Sequence, residues 1–150
     1  MEEFVIALGW IGIYSPMALG AIGSALGCMI AGQASIGAML ETESGHGRYI
    51  GISAFPSTFV IYGIVVMFTL NREVTLSNAG GLFAIGLFAG LAFIYSGIAQ
   101  GRACASSINA SKEKPEIFGL SLAPAAIIEG FAVFAFVFAL VISAGLPGVV

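Results

Sequence analysis

The residue with the clearest chemistry in this sequence is a glutamate inside an apolar stretch. Glu129 lies about 12 residues into the segment that begins near Ile117, roughly 18 Å along a helix and close to the middle of a bilayer. An ionised carboxylate is costly at that depth, so the group must be protonated, bind a cation or face a positive charge. An ion carrier uses the same three states. The alternative is a protonated glutamate that only links two helices through a hydrogen bond.

Three other polar side chains could reach the same depth. Thr58 and Tyr62 are four residues apart, so they share one face of a helix, and Gln100 lies in the next apolar segment. Pro56 removes a backbone hydrogen bond and frees carbonyl oxygens near residues 52–55. Together these groups predict an oxygen-rich pocket suited to a hard monovalent cation or to a proton. Taken singly, each also has an ordinary structural role, because threonine bonds its own preceding turn and tyrosine packs.

The composition sets the class of protein that carries these residues. Of 150 residues, 59% are hydrophobic and 9% are charged, with a mean hydropathy of +1.04. These values lie outside the range of soluble domains and predict an integral membrane protein in contact with lipid. The net charge of -3 leaves no basic surface for nucleic acid.

Four apolar segments predict an all-α membrane protein with four transmembrane helices. Helices are required because hydrocarbon gives exposed backbone groups no hydrogen-bond partner, and the segments are too long for barrel strands. The predicted spans are about 4–39, 49–70, 79–108 and 117–146.

The basic residues predict an orientation. Four lie toward the loops after spans one and three, and Arg72 lies opposite, so these two loops are expected in the cytoplasm and both termini on the other face. No lysine or arginine is expected at the depth of Glu129. The four on the predicted cytoplasmic side are Arg48, Arg102, Lys112 and Lys114.

The two halves of the chain form an internal repeat. Residues 49–56 and 117–124 share a glycine, a serine and a proline at matching positions. With one residue of slippage, Tyr62 then corresponds to Glu129, each followed by glycine. The sequence therefore predicts two tandem helical hairpins, 1–76 and 77–150, of which only the second carries the acid.

Glycines cluster in spans one and three and predict that these two helices pack closely, because small residues let helix backbones approach in lipid. Two arrangements are compatible with this pattern. One is ordinary packing inside a monomeric bundle, and the other is the inner layer of a ring of several copies. The glycines are Gly20, Gly23 and Gly27 in span one and Gly86, Gly90, Gly97 and Gly101 in span three.

Four motifs stand together in this sequence: Gly23-Ser24-Ala25-Leu26-Gly27, Pro56-Ser57-Thr58-Phe59-Val60-Ile61-Tyr62-Gly63, Gln100-Gly101-Arg102 and Glu129. With the four spans and the repeat, they resemble the proteolipid rotor subunit of V-type ATPases in its duplicated, four-span form, over nearly the whole chain. The resemblance implies a non-catalytic component that carries H⁺ or Na⁺ across the membrane on Glu129, coupled to ATP hydrolysis or synthesis. It implies no cofactor other than the transported ion.

The resemblance also implies the remaining site residues. In sodium-pumping bacterial members, the matching ligands of Na⁺ besides Glu129 would be the Phe55 carbonyl, Thr58 and Gln100, and Tyr62 would lock the glutamate. A further glutamine ligand of those members is replaced here by Phe59. One oxygen ligand is therefore missing, and the resemblance leaves H⁺ and Na⁺ both open.

The partners that the resemblance implies are further copies of the chain in a ring, a stator subunit with an arginine, and central-stalk subunits. The sequence has no phosphate-binding loop, so ATP hydrolysis would belong to partner subunits. A membrane enzyme is disfavoured, because the single histidine, His46, lies in a polar loop without a second ligand. The alternative is a small independent four-helix carrier or channel, for which polar residues are expected in both repeats.

Overall fold

Four helical spans make up the chain. The computed structural model describes residues 1–148, and within them it contains helices, two 3₁₀ turns and loops but no strand. The spans Glu2–Glu41, His46–Leu70, Ala79–Glu113 and Pro115–Ser143 are each long and apolar enough to cross a bilayer. The protein is therefore a multi-pass integral membrane protein. Its helices are α1 (Glu2–Glu41), α2 (His46–Ser53), α3 (Thr58–Leu70), α4 (Ala79–Glu113), α5 (Phe118–Ser121) and α6 (Ala123–Ser143).

The helices extend further into the polar segments than the composition predicted. The first two spans, predicted at about 4–39 and 49–70, are longer on the loop side, because α1 continues to Glu41 and α2 begins at His46. The chain turns at Gly45, whose φ of 83° favours glycine. The helix α4 runs to Glu113, five residues past the predicted end. Polar side chains outside the bilayer are compatible with a helix. These helices therefore end where the backbone leaves the helical conformation and not where the apolar sequence stops.

Span two is interrupted where the proline stands. The helix α2 ends at Ser53, a 3₁₀ turn covers Phe55–Ser57 around Pro56, and α3 follows. Backbone N–H groups in the first turn of a helix lack partners in that helix. The Val60 N–H donates to Ser24 Oγ of α1 at 3.0 Å, which fixes the start of α3 against α1.

Each half of the chain folds into a hairpin held by a serine. Hairpin 1 consists of α1, α2 and α3, and hairpin 2 of α4, α5 and α6. In hairpin 1, Ser35 Oγ donates to the Tyr49 carbonyl at 2.7 Å. In hairpin 2, Ser107 and Ser121 share a hydrogen bond of 2.5 Å between their hydroxyl groups. The predicted division at residues 76 and 77 falls in the connection between α3 and α4.

The two hairpins meet along glycines of α1 and α4. Three pairs face each other, and the members of each pair are 74 residues apart in the chain. A Cβ placed on Gly97 would lie 2.5 Å from the Gly23 carbonyl carbon, so only a residue without a side chain fits there. Because the contact runs backbone to backbone, it sets the relative height of the two helices. The pairs are Gly12 with Gly86, Gly23 with Gly97, and Gly27 with Gly101.

The hairpins are also joined at the loop end. Lys112 forms an ion pair of 2.6 Å with Glu41, from the end of α4 to the end of α1. Arg48 donates to the Ser111 carbonyl at 3.2 Å, and its guanidinium lies 4.9 Å from the centre of the Tyr49 ring. These contacts extend the interface between the hairpins from the glycine pairs to the loop end.

Replacing Gly97 by valine should separate α1 from α4. The new side chain would collide with the backbone of Gly23, which cannot rotate away, and overpacking of this kind costs about 1–3 kcal/mol. We expect a lower unfolding temperature of the detergent-solubilised protein, followed by helical circular dichroism. Gly37→Val is the matched control, because it makes the same change in a helix where no atom lies within 4 Å of the new Cβ. Equal unfolding temperatures for both variants would contradict the close contact.

Candidate functional site

Glu129 lies at the middle of the fourth span, where three helices meet. It is as far from Pro115 as from Ser143 along that span. Its side chain is half-buried on α6 and faces α3 of hairpin 1 and α4 of its own hairpin. The carboxyl group therefore sits at the junction of the two hairpins.

Both carboxylate oxygens of Glu129 accept a hydrogen bond from another helix. The Tyr62 hydroxyl of α3 donates to Oε1 at 2.9 Å. The Gln100 amide of α4 donates to Oε2 at 2.7 Å and to the Ala125 carbonyl at 3.1 Å. The structure thus brings together three of the residues that the sequence singled out, from three different spans.

Aromatic rings hold the tyrosine in place. The Tyr62 ring stacks on Phe136 with 5.2 Å between centroids and contacts Phe59 and Phe93, each at 6.2 Å. Phe59 and Phe93 are fully buried. The hydroxyl of Tyr62 is consequently directed at the carboxylate by an apolar wall to which Phe59 belongs.

The amide of Gln100 is buried, and its nitrogen is hydrogen-bonded whereas its oxygen is not. Its side chain is 0% exposed, and among residues 1–148 no donor reaches its Oε1 atom. With two donors on its oxygens, the carboxyl group is arranged as an ionised acceptor. A protonated Glu129 must instead donate its own hydrogen, and rotating the Gln100 amide by half a turn would present Oε1 as the acceptor. The same buried oxygen is available to a cation.

Thr58 and Phe55 lie near the site but bind each other. Thr58 Oγ1 donates to the Phe55 carbonyl at 3.3 Å, within the 3₁₀ turn that leads into α3. Thr58 stands one helical turn from Tyr62, on the loop side of the carboxylate. Neither its hydroxyl nor the Phe55 carbonyl is hydrogen-bonded to Glu129. Both residues stay partly accessible at the edge of the pocket.

A cation does lie close to the depth of the carboxylate, contrary to the expectation from the sequence. Arg102 is two residues after Gln100 on α4, about 3 Å further along the helix axis. Residues two apart point to nearly opposite faces of a helix, so Arg102 is exposed on the face away from Glu129. Among residues 1–148, ion pairs join only Lys112 to Glu41 and Glu113. Arg102 therefore does not neutralise the site.

Four groups of the site were not predicted from the sequence. Ala125 contributes only its carbonyl, Ser24 supports α3 from α1, and Phe136 and Phe93 pack on Tyr62. Phe136 had a usable signal, because it lies two turns from Glu129 on the same helix face. The contacts of Ala125, Ser24 and Phe93 join segments that are distant in the chain, so no local sequence pattern predicts them.

Comparison with known proteins gives one matching family and two relatives of the same kind. The family described as the C subunit of ATP synthase matches residues 11–70 and again residues 83–142. The A-type ATP synthase subunit K of Methanocaldococcus jannaschii is 35% identical over 89% of the chain, which spans 62% of that protein's length. The V-type sodium ATPase subunit K of Enterococcus hirae is 33% identical over 82% of the chain and 83% of its own length. The repeated family match agrees with the internal repeat in the sequence.

Removing the Tyr62 hydroxyl should free one oxygen of Glu129. Hydrogen bonds to charged groups contribute about 1.5–3 kcal/mol, so in Tyr62→Phe we expect carbodiimide to modify Glu129 roughly tenfold faster. The measurement is the rate of mass increase of the protein in membranes. Tyr95→Phe is the matched control, because Tyr95 is 76% exposed and lies on the other face of α4. Equal rates in the two variants would show that the hydroxyl does not hold the carboxylate.

Proposed function

Because the chain belongs to the ATP synthase C-subunit family, we propose that it is an ion-translocating rotor subunit in the membrane sector of a V-type or A-type ATPase. Several copies form a ring, and each copy carries one H⁺ or Na⁺ on Glu129. The rotation of the ring is coupled to ATP hydrolysis or synthesis in partner subunits. The chain itself contributes no nucleotide site and does not catalyse the hydrolysis.

The observation that carries this proposal is the hydrogen-bonded carboxyl group at mid-span. An intramembrane acid is rarely retained without a role, and this one is held by two neutral donors, with no cation of residues 1–148 bound to it. It can therefore exist in two states, one ion-loaded and locked, the other ionised and ready to meet an external positive charge. A permanently paired glutamate would lack the second state.

Exchange of the ion requires an external positive charge. In the proposed mechanism an arginine of the stator subunit approaches Glu129 from the half-exposed side and displaces the ion. Tyr62 and Gln100 then hold the carboxylate again once the next ion has bound. Moving one charge across 100 mV involves about 2.3 kcal/mol, so several ions must cross for each ATP that is turned over.

Two cargo ions are compatible with the pocket, and different features support each. Sodium is supported by the buried Gln100 Oε1 and by the oxygens of Thr58 and Phe55 one turn away, together with the sodium-ATPase relative. A proton is supported by Phe59, which replaces an oxygen ligand with a ring and leaves the carboxyl group only hydrogen-bond partners.

The proposed orientation follows the basic residues. The loop at residues 42–45 and the connection between α4 and α5 face the cytoplasm, where the central-stalk subunits would bind. Both termini lie on the opposite side. The exposed charged residues at this loop end, Glu41, Glu43, Glu113 and Lys114, give the stalk a polar surface.

Glu129→Gln should abolish ion-coupled ATP hydrolysis in the assembled complex. The amide keeps the size of the side chain and one acceptor oxygen but cannot become charged, so transport into vesicles should fall to the background level. Glu2→Gln is the control, since that carboxylate is exposed at the first turn of α1. Full coupling in Glu129→Gln would refute the mechanism. A monomer or dimer in mild detergent, instead of a large closed assembly, would favour the independent carrier.

Protection from carbodiimide identifies the cargo. If the ion is sodium, NaCl should slow modification of Glu129 relative to KCl at the same ionic strength, and Thr58→Val should weaken that protection roughly tenfold by removing one oxygen. Thr69→Val is the matched control, because the Thr69 hydroxyl bonds the Val65 carbonyl in its own helix. If the ion is a proton, modification should follow pH and ignore sodium in every variant.

A further inference from the structure

The backbone of α3 rests on α1 on both sides of Tyr62. A Cβ placed on Gly20 of α1 would lie 2.7 Å from the Phe59 carbonyl oxygen, so the two backbones touch before the tyrosine. After the tyrosine, a Cβ placed on Gly63 would lie 2.8 Å from the Pro16 carbonyl carbon. Because no side chain stands between the backbones at either point, α1 fixes how closely this part of α3 approaches.

A hydrogen bond lies between these two glycine contacts. Ser24 Oγ, one turn after Gly20 on α1, accepts the Val60 N–H at 3.0 Å. Val60 is the third residue of α3, where backbone N–H groups lack a partner in their own helix. Ser24 is 6% exposed, so the bond is shielded from competing groups. The bond adds a direction to the contact and thereby fixes the rotation of α3 about its own axis.

The rotation of α3 decides whether Tyr62 reaches Glu129. Val60 precedes the tyrosine by two residues, and the tyrosine hydroxyl lies 2.9 Å from Glu129 Oε1. Side-chain ends lie about 5–6 Å from a helix axis, so a rotation of about 15° would move the hydroxyl by roughly 1.5 Å. A displacement of that size is enough to break a hydrogen bond. A change at Ser24 can therefore reach the carboxylate through the tyrosine.

The repeat shows that this anchor belongs to the hairpin that carries the tyrosine. Residues of α1 and α4 that are 74 apart correspond, so the counterpart of Ser24 is Ile98. Isoleucine offers no acceptor to a backbone N–H. The counterpart of Gly63 is Gly130, where no atom of another helix lies within 4 Å of a Cβ. The helix with the hydrogen-bond donor is thus fastened to its glycine-lined helix, and the helix with the acid is not fastened in this way.

We propose that Ser24 is a positioning residue for the ion site, because its hydroxyl holds α3 in the rotation at which Tyr62 locks Glu129. Ser24 acts through the Val60 backbone and the Tyr62 ring, and it does not itself bind the ion or the carboxylate. The inference rests on the proposed function only for the meaning of the lock, which is to retain the transported ion.

Ser24→Ala should loosen the hold of Tyr62 on Glu129 in the assembled complex in membranes. A neutral hydrogen bond is worth less than one to a charged group, so we expect carbodiimide to modify Glu129 roughly threefold faster, short of the roughly tenfold expected for Tyr62→Phe. The measurement is the rate of mass increase of the peptide that contains Glu129. Ser15→Ala is the matched control, because the Ser15 hydroxyl donates to the Ile11 carbonyl of α1 itself at 2.6 Å.

The double variant of Ser24→Ala with Tyr62→Phe separates positioning from a general loosening of the fold. If the serine acts through the tyrosine hydroxyl, its removal should no longer change the modification rate once that hydroxyl is gone. A merely structural role would raise the rate by the same factor in both backgrounds. Equal factors in the two backgrounds, or no effect of Ser24→Ala alone, would overturn the proposal. So would loss of the assembled complex in Ser24→Ala, because the serine would then serve folding.

Gly20→Ala is a second variant that leaves the serine in place. Its methyl group would meet the Phe59 carbonyl oxygen at 2.7 Å and push α3 away from α1. We expect faster modification of Glu129 when Tyr62 is present and no change in the Tyr62→Phe background. Gly32→Ala is the control, because no atom lies within 4 Å of a Cβ there. Equal rates in Gly20→Ala and Gly32→Ala would show that the tyrosine does not depend on its contact with α1.

The modification rate and coupled transport separate the positioning role from the function. The rate reports the position of the Tyr62 hydroxyl whether or not the complex pumps ions. If the unaltered complex supports coupled transport but Ser24→Ala leaves the rate unchanged, the positioning role is wrong and the proposed function stands. If the unaltered complex shows no coupled transport, the proposed function fails, and the comparison of rates still decides the role of Ser24.

Discussion

A carboxyl group in the middle of a membrane needs a partner for each of its oxygens, because hydrocarbon supplies none. In this chain the partners of Glu129 are Tyr62 and Gln100, which belong to two other spans. The requirement therefore fixes the relative position of three helices. The rest of the fold can be understood as the means of holding α3, α4 and α6 within hydrogen-bonding distance of one another.

The glycine pairs fix the positions of α1 and α4 relative to each other along the helix axes. Gln100 is fully buried beside Gly97 and Gly101, whose backbones touch Gly23 and Gly27 of α1. The serine of α1 at position 24 in turn holds the first turn of α3. One glycine-lined helix thus positions both donors, Gln100 through α4 and Tyr62 through α3.

The repeat gives the chain two similar hairpins with different tasks at the same level. Hairpin 1 presents a tyrosine where hairpin 2 presents the acid, and the hydrogen bond between Tyr62 and Glu129 joins these equivalent positions across the interface. Their neighbouring glycines differ as well. Gly63 packs tightly on the Pro16 backbone, whereas no atom lies within 4 Å of a Cβ on Gly130. Space is therefore left beside Glu129 in hairpin 2 but not beside Tyr62 in hairpin 1. Such space suits a carboxyl group that must exchange its bound ion.

The sequence by itself determined the membrane class, the four spans and the repeat, and it singled out Glu129, Tyr62 and Gln100, which the structure brings together. These properties are local, because apolar length, helical spacing and a charge inside hydrocarbon are visible without knowing what lies opposite. The tertiary structure alone decided that Arg102 turns away from the site and that Ala125 and Phe136 complete it. Each of these depends on helix rotation and on contacts between distant segments, and a small change in either would alter the pairing while leaving every sequence pattern unchanged.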